Sequence, residues 1–171
     1  MNIILIGPPG SGKGTQAKFL VGKLNSFQVS TGDMLREEIK NNTEIGKKII
    51  NNMNNGKFVD DEIVNKLLES VIFDTSKKNK LIFDGYPRTI NQAKNLESLL
   101  SKSNQKLDYI FFLNVNKDSI IKRIEKRKIL EKRIDDDANT ILKRYDTYMD
   151  ITKPVLDYYS KNPNFHEVDG S

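Results

Sequence analysis

The sequence has no cysteine and no tryptophan, and its single histidine is His166. Without thiols there is no disulfide, no thiolate zinc site and no cysteine nucleophile. His166 lies near the C-terminus and reads as a strand or surface residue rather than a catalytic base. Long apolar runs are also missing: nothing approaches the roughly 18 residues of a membrane span, and the first run, Ile3–Ile6, is too short for a signal peptide. With 37% hydrophobic and 30% charged residues over 171 positions, the chain has the composition of one soluble domain with one sizeable core. The lack of cysteine fits a reducing, cytoplasmic setting. A net charge of +5 suits anionic partners, either nucleic acid or small phosphates, although a lysine-rich solvated surface gives the same balance.

Strand-like segments stand at Ile3–Ile6, Lys80–Phe83, Tyr109–Val115 and Phe165–Val168. Between them, Ala17, Leu20, Val21 and Leu24 recur on one helical face, as do Ile63, Val64, Leu67, Leu68 and Val71, and Ala93, Leu96, Leu99 and Leu100. A further helical stretch runs from about Asp135 to Lys161, with a break or kink expected before Pro154. In the Asn-rich NNTEIGKKIINNMNNGK, the residues Ile45, Ile49 and Ile50 predict a short helix. Strands alternating with helices predict an α/β fold on a parallel sheet.

Directly after the first strand comes Gly7-Pro-Pro-Gly-Ser-Gly-Lys13, and a helical pattern follows it. This fits the first seven places of the phosphate-binding loop G-x-x-x-x-G-K-[ST] in its required context. Glycines let backbone N–H groups converge on phosphate oxygens, the helix N-terminus adds its positive end, and Lys13 brings a mobile charge. One place departs from the pattern. Position 14 is glycine, and the hydroxyl arrives one residue later, at Thr15.

With that shift, GPPGSGKGTQA resembles the adenylate kinase branch of the nucleoside monophosphate kinases. STGDMLREEI (30–39) resembles the start of that family's monophosphate-binding segment, although Ser, Thr or Asp ahead of a helix is also an ordinary N-cap. The resemblance puts Thr31 against AMP and Arg36 on its phosphate. GKFVDDEIV (56–64) resembles the segment over the AMP base, with Lys57, Phe58 and Val59 at contact positions; Asp60 stands where the family often has Pro or Thr. LIFDGYPRTINQA (81–93) looks like a Walker B strand ending in Asp84, which by resemblance orders the waters of magnesium. It implies Gly85, Tyr86, Pro87 and Arg88 along AMP, with Arg88 on the phosphoryl oxygens and Gln92 on the adenine edge.

RIEKRKILEKRIDD (123–136) resembles the lid, and Arg144 follows Arg133 at the family's eleven-residue spacing. Only five residues separate Arg127 from Arg133, so the resemblance is to the short-lid type. Ile129, Leu130 and Glu131 replace the glycines usual there. VDGS at the end resembles the loop that meets the ATP adenine, and the family's final helix has no counterpart before Ser171.

The resemblance implies a three-layer P-loop fold with a central parallel sheet of about five strands flanked by helices. It implies a core of 1–29, 60–126 and 134–171, a small helical AMP-binding insertion at 30–59, and a very short lid at 127–133. The implied reaction is ATP + AMP = 2 ADP, in adenine nucleotide homeostasis. ATP would be held by Gly10, Ser11, Gly12, Lys13, Gly14, Thr15 and Arg127, and transfer aided by Lys13, Arg88, Arg123, Arg133 and Arg144, the last two also reaching AMP. Mg²⁺ would come with ATP, held mainly by phosphates and water. No resident metal or zinc, no nucleic-acid or membrane partner and a monomeric state are expected. Three alternatives stay open on sequence alone. A UMP/CMP kinase shares the loop and short lid, against which Thr31 and Gln92 argue. A GTPase is suggested by NKDS (116–119), but its guanine motif needs Asp where Ser119 stands. An RNA-binding module lacks an aromatic-rich strand.

Overall fold

The computed structural model describes residues 1–131 and 137–171. Five parallel strands form the sheet: β1 (Ile3–Ile6), β2 (Phe27–Ser30), β3 (Leu81–Asp84), β4 (Tyr109–Asn114) and β5 (Phe165–Asp169). Their spatial order is β2-β3-β1-β4-β5. The central strand β1 sets Ile4 between Phe83 and Ile110, and Leu5 between Asp84 and Phe111. Every residue of β1 and β3 is buried. Both strands are covered on both faces, which is why they read as unbroken apolar runs rather than alternating ones.

The helices are α1 (Lys13–Leu24), α2 (Thr31–Lys40), α3 (Glu44–Asn54), α4 (Asp61–Ile72), α5 (Ile90–Lys102), α6 (Lys117–Glu131), α7 (Ala138–Thr147) and α8 (Lys153–Ser160). On one face of the sheet, Ile4, Ile6, Phe83 and Ile110 pack with Leu68 and Ile72 of α4, Leu96 and Leu100 of α5 and Val155 and Tyr159 of α8. The other face packs Ile3, Leu5 and Ile82 against Ala17, Leu20 and Val21 of α1. A satellite of Val115, Ile120 and Ile124 meets Ile141 and Tyr145, joining α6 to α7.

From β1 the chain first builds β2 and β3 on one side, then crosses to β4 and β5 on the other. Such a reversal opens a crevice at the carboxyl ends of the central strands, where α/β sheets bind ligands. The loop after β1 and the loop after β3 both lie at this edge.

Several elements differ from the sequence reading. β2 was not expected: it is a short edge strand in which only Val29 is buried, so it lacks an apolar run. β3 runs one residue past the apolar segment to Asp84, the end that the Walker B resemblance implies, and Asp84 pairs in register with Leu5 and Ser30. The expected kink before Pro154 takes the form of a π-helical turn, Tyr148–Thr152, between α7 and α8. The wider turn leads into α8, whose first turn holds the proline, where its missing N–H leaves no bond broken. The helix expected in the Asn-rich stretch is α3, with Ile49 buried and Ile50 exposed.

Candidate active site

The loop between β1 and α1 is shaped by its glycines. Gly10 and Gly12 have φ of 80° and 95°, and a Cβ on Gly10 would come within 2.7 Å of Ile124. Among the described residues six helices carry a side-chain cap on their first turn: Ser30 on α2, Thr43 on α3, Asp60 on α4, Thr89 on α5, Asn116 on α6 and Asp137 on α7. Helix α1 has no such cap bond and no acidic residue in its first turn. Its leading N–H groups and the positive end of its dipole therefore face the crevice, the arrangement that binds an anion.

Lys13 begins α1 and folds back over this loop. Its Nζ donates to the carbonyl oxygens of Gly7 (2.8 Å) and Pro8 (2.9 Å) and to Ser11 Oγ (3.4 Å). Burial pushes its pKa down to about 8; Asp84 opposes the shift, and the cationic Arg88, Arg144 and Arg127 add to it. Four cations from α1, the β3–α5 loop, α6 and α7 thus share one electrostatic neighbourhood. Asp84, buried at the end of β3, accepts from Gln28 Nε2 at 3.0 Å.

An open cleft of about 1200 Å³ lies against the loop. Its walls include Gly10, Ser11, Gly12, Lys13, Gly14 and Thr15, with Arg123 and Arg127 from α6. Arg123 bridges the loop and the end of β5, donating to Ser11 O (3.2 Å) and Gly170 O (2.6 Å). A smaller cavity of about 90 Å³ adjoins it and shares Lys13, Arg36, Arg88 and Arg144. Arg36, Lys57, Phe58, Val59, Gly85, Tyr86, Pro87, Arg88 and Arg144 line it. Arg36 is paired with Asp33 at 2.6 Å.

Two residues expected at the acceptor sit behind its wall. Thr31 is buried and donates to Gly85 O at 2.9 Å, tying α2 to the β3–α5 loop. The N-cap of α2 is its neighbour Ser30, whose Oγ accepts from Asp33 N. Gln92 is also buried, its amide donating to Asp61 Oδ1 (2.6 Å) and accepting from Arg88 N (2.7 Å). Arg133 lies outside the described residues. Leu35, Met53, Tyr148 and Thr152 also line the smaller cavity and were not singled out in the sequence. Each reads there as one more apolar or helical position, with no motif to mark it.

The lid expected over 127–133 begins within α6, which stays helical through Glu131; positions 132 and 133 lie outside the described residues. No glycine or proline interrupts KRKILE, and Lys, Arg, Leu and Glu are good helix formers. Ile129 and Leu130 are 78% and 72% exposed on this extension, and Leu130 borders the large cleft.

The fold and site define a P-loop nucleotide-binding protein whose loop adjoins a second basic cavity. Comparison with known proteins gives the same class. The family model described as adenylate kinase matches residues 5–164. The adenylate kinase of Pelagibacter ubique is 48% identical, over 100% of this chain and 92% of its own length. That of Mycoplasma mycoides is 43% identical over 98% of this chain and 91% of its own, and that of a Caulobacter species 41% over 99% and 90%. The alignment with the Pelagibacter protein runs over 197 positions, more than the 171 residues of this chain, so that relative carries additional residues; the Caulobacter alignment runs over 170. The chain belongs to the adenylate kinase family. It is thus a nucleoside monophosphate kinase, a phosphotransferase.

Proposed function

We infer that the protein catalyses ATP + AMP = 2 ADP by direct in-line transfer between two bound nucleotides. The observation that carries this reading is the convergence of Lys13, Arg88, Arg127 and Arg144 beside an uncapped helix N-terminus, at the seam of the two cavities. Phosphoryl transfer asks a protein for positioning and charge neutralisation more than for covalent chemistry. The loop from Gly10 to Thr15 would cradle the ATP phosphates, with Arg123 and Arg127 on the same side. Arg36 and Arg88 would hold the AMP phosphate. Arg144, which borders both cavities, would span the two, and Arg133 is proposed to join it. Guanidinium forks suit this task because they bind phosphate oxygens in pairs. The acceptor is already an ionised phosphate, so no general base is needed.

Magnesium would enter with ATP. Among the described residues no cluster of three acidic or histidine side chains could hold a metal by itself. The exposed Thr15 hydroxyl and the Asp84 carboxylate, with Gly14 leaving room beside it, suit an ion carried by phosphates and water. The ion would neutralise charge on the transferring phosphate.

The smaller cavity is well below the roughly 300 Å³ at which ligand pockets begin. Segment 30–59 would therefore move outward to admit AMP and close again to keep water from the transferring group. A short lid over 127–133 is proposed to close the ATP side, with α6 as its stem. The protein is taken to work as a monomer. The deciding experiment measures ADP formation from ATP with AMP, CMP, UMP or GMP as acceptor. AMP is expected to be turned over fastest. Comparable turnover with a pyrimidine monophosphate would overturn the assignment, and Lys13→Ala with full activity would overturn the role of the loop.

A further inference from the structure

Arg88 is held from several directions. Its backbone N–H donates to Gln92 Oε1 at 2.7 Å, and its Nε donates to Gly85 O at 2.7 Å. A Cβ on Gly85 would lie 3.1 Å from Arg88 Nη2, so the guanidinium runs close along that backbone. These contacts belong to the loop and helix that follow β3. Another comes from a different part of the chain: the Phe58 ring lies 5.3 Å from Arg88 Cζ. Phe58 is in turn tied to α3, with Asn52 Nδ2 donating to Phe58 O (3.4 Å) and Lys57 N to Asn52 O (2.9 Å).

We propose that Phe58 is a positioning residue for phosphoryl transfer, its ring supporting the face of the Arg88 guanidinium and so linking the placement of α3 to the phosphate clamp. An aromatic ring attracts a guanidinium by its face, while phosphate oxygens are bound by the N–H edges. The two interactions are compatible, and the first fixes the plane in which the second is made. A guanidinium already held in plane loses less rotational freedom when charge develops on the transferring group, and that gain falls on the transition state. An aliphatic side chain at position 58 would still fill space and touch a base. It would not hold the plane.

This inference rests on the phosphoryl-transfer reading, and the test separates the two. Steady-state ADP formation is measured for the wild type, Phe58→Leu, Phe58→Tyr, Arg88→Ala and the Phe58→Leu/Arg88→Ala double variant. The ¹⁵N and ¹H shifts of Arg88 Nε–H are recorded in nucleotide-free protein. Phe58→Leu is expected to lower kcat about five- to tenfold, with a smaller change in KM for AMP. Phe58→Tyr, which keeps the ring, should recover most of that loss. In the Arg88→Ala background, Phe58→Leu should have no further effect. The Nε–H signal should lose its ring-current displacement in Phe58→Leu and keep it in Phe58→Tyr. Phe58→Leu that raises only KM for AMP, or that costs the same factor with and without Arg88, would overturn the proposal, as would an unmoved Nε–H signal. A wild-type protein that forms no ADP would instead defeat the reaction assignment, and the Nε–H shifts would still report whether Phe58 holds Arg88.

Discussion

Lys13 sets up a measurable proton uptake. In the nucleotide-free protein its pKa is down at about 8, against an ordinary 10.5. The leading cause is burial, and the nearby arginines add to it. A polyphosphate reverses this balance. One phosphate charge about 4 Å from Nζ, at an effective dielectric constant of about 20, contributes about 4 kcal/mol. That is about three pKa units, enough to restore the ammonium through the whole neutral and mildly alkaline range. Binding should then take up about 0.1 proton at pH 7, about 0.5 at pH 8 and about 0.9 at pH 9. The terminal phosphate of ATP has shed its last proton before pH 8, so it does not obscure the upper half of this range.

Isothermal titration calorimetry in buffers of different ionisation enthalpy reads the uptake directly. Because protons are consumed, affinity for ATP should fall as pH rises through 8, and kcat/KM should follow. In Lys13→Met the pH-dependent uptake should disappear. The free protein offers an independent check. The folded state disfavours the Lys13 proton, so between about pH 8 and 10.5 the unfolded chain binds more protons. The wild type should therefore gain stability relative to Lys13→Met as pH rises through that window, by at most about 3 kcal/mol. Equal proton uptake at pH 7 and pH 9, or uptake that persists in Lys13→Met, would refute the reasoning.

Other expectations concern the scaffold. A Cβ on Gly46 would overlap the Glu38 carbonyl oxygen and lie 2.6 Å from its carbon, so Gly46→Ala should force α2 and α3 apart. It should destabilise by on the order of 3 kcal/mol and lower Tm by about 10 °C in calorimetry. Asn2 is fully buried at the amino end of the sheet, donating to Gln105 Oε1 (3.2 Å) and Lys106 O (3.0 Å) and accepting from Leu81 N (3.1 Å). Asn2→Ala should cost about 2–3 kcal/mol in denaturant unfolding, with kcat unchanged because the active edge is at the opposite end of β1. The Tyr159 hydroxyl is buried without a hydrogen-bond partner among the described residues, and burial holds its pKa well above the usual value. Tyr159→Phe should raise stability by about 1 kcal/mol, and a loss of that size would show that the hydroxyl is satisfied after all.

What could be read in the sequence was what local chemistry encodes. The loop 7–13 announces itself because a strand, a run of glycines and a helix must follow one another within a few residues to make an anion site. Burial on both faces makes β1 and β3 plain apolar runs. β2 escaped because an edge strand that buries only Val29 has no periodic signature. The π-turn at 148–152 was visible only as a proline that a straight helix could not hold. Leu35, Met53, Tyr148 and Thr152 were hidden differently: they come together at the cavity from α2, α3 and the π-turn, and such convergence leaves no local pattern. The same holds for Phe58 and Arg88, which meet only when the chain folds.

The free site also shows how the fold tolerates a concentration of like charge. Lys13, Arg88, Arg127 and Arg144 repel one another, with Asp84 the acidic group opposing them at Lys13. The repulsion is eased where cations of the site, and the neighbouring Arg123, bind acceptors of the protein itself. Lys13 folds onto the Gly7 and Pro8 carbonyls, Arg88 onto Gly85 O and Arg123 onto Ser11 O and Gly170 O. Carbonyl oxygens are weaker acceptors than phosphate, so these contacts hold the cations in place without competing strongly for them. An uncapped α1 follows the same logic: a Ser or Asp cap would satisfy its first N–H groups permanently and close them to the ligand. The site is thus kept ordered by bonds weak enough to exchange. Burial and the neighbouring arginines, rather than these contacts, lower the Lys13 pKa, so the cradle stays prearranged while its ammonium is held less tightly than phosphate would hold it.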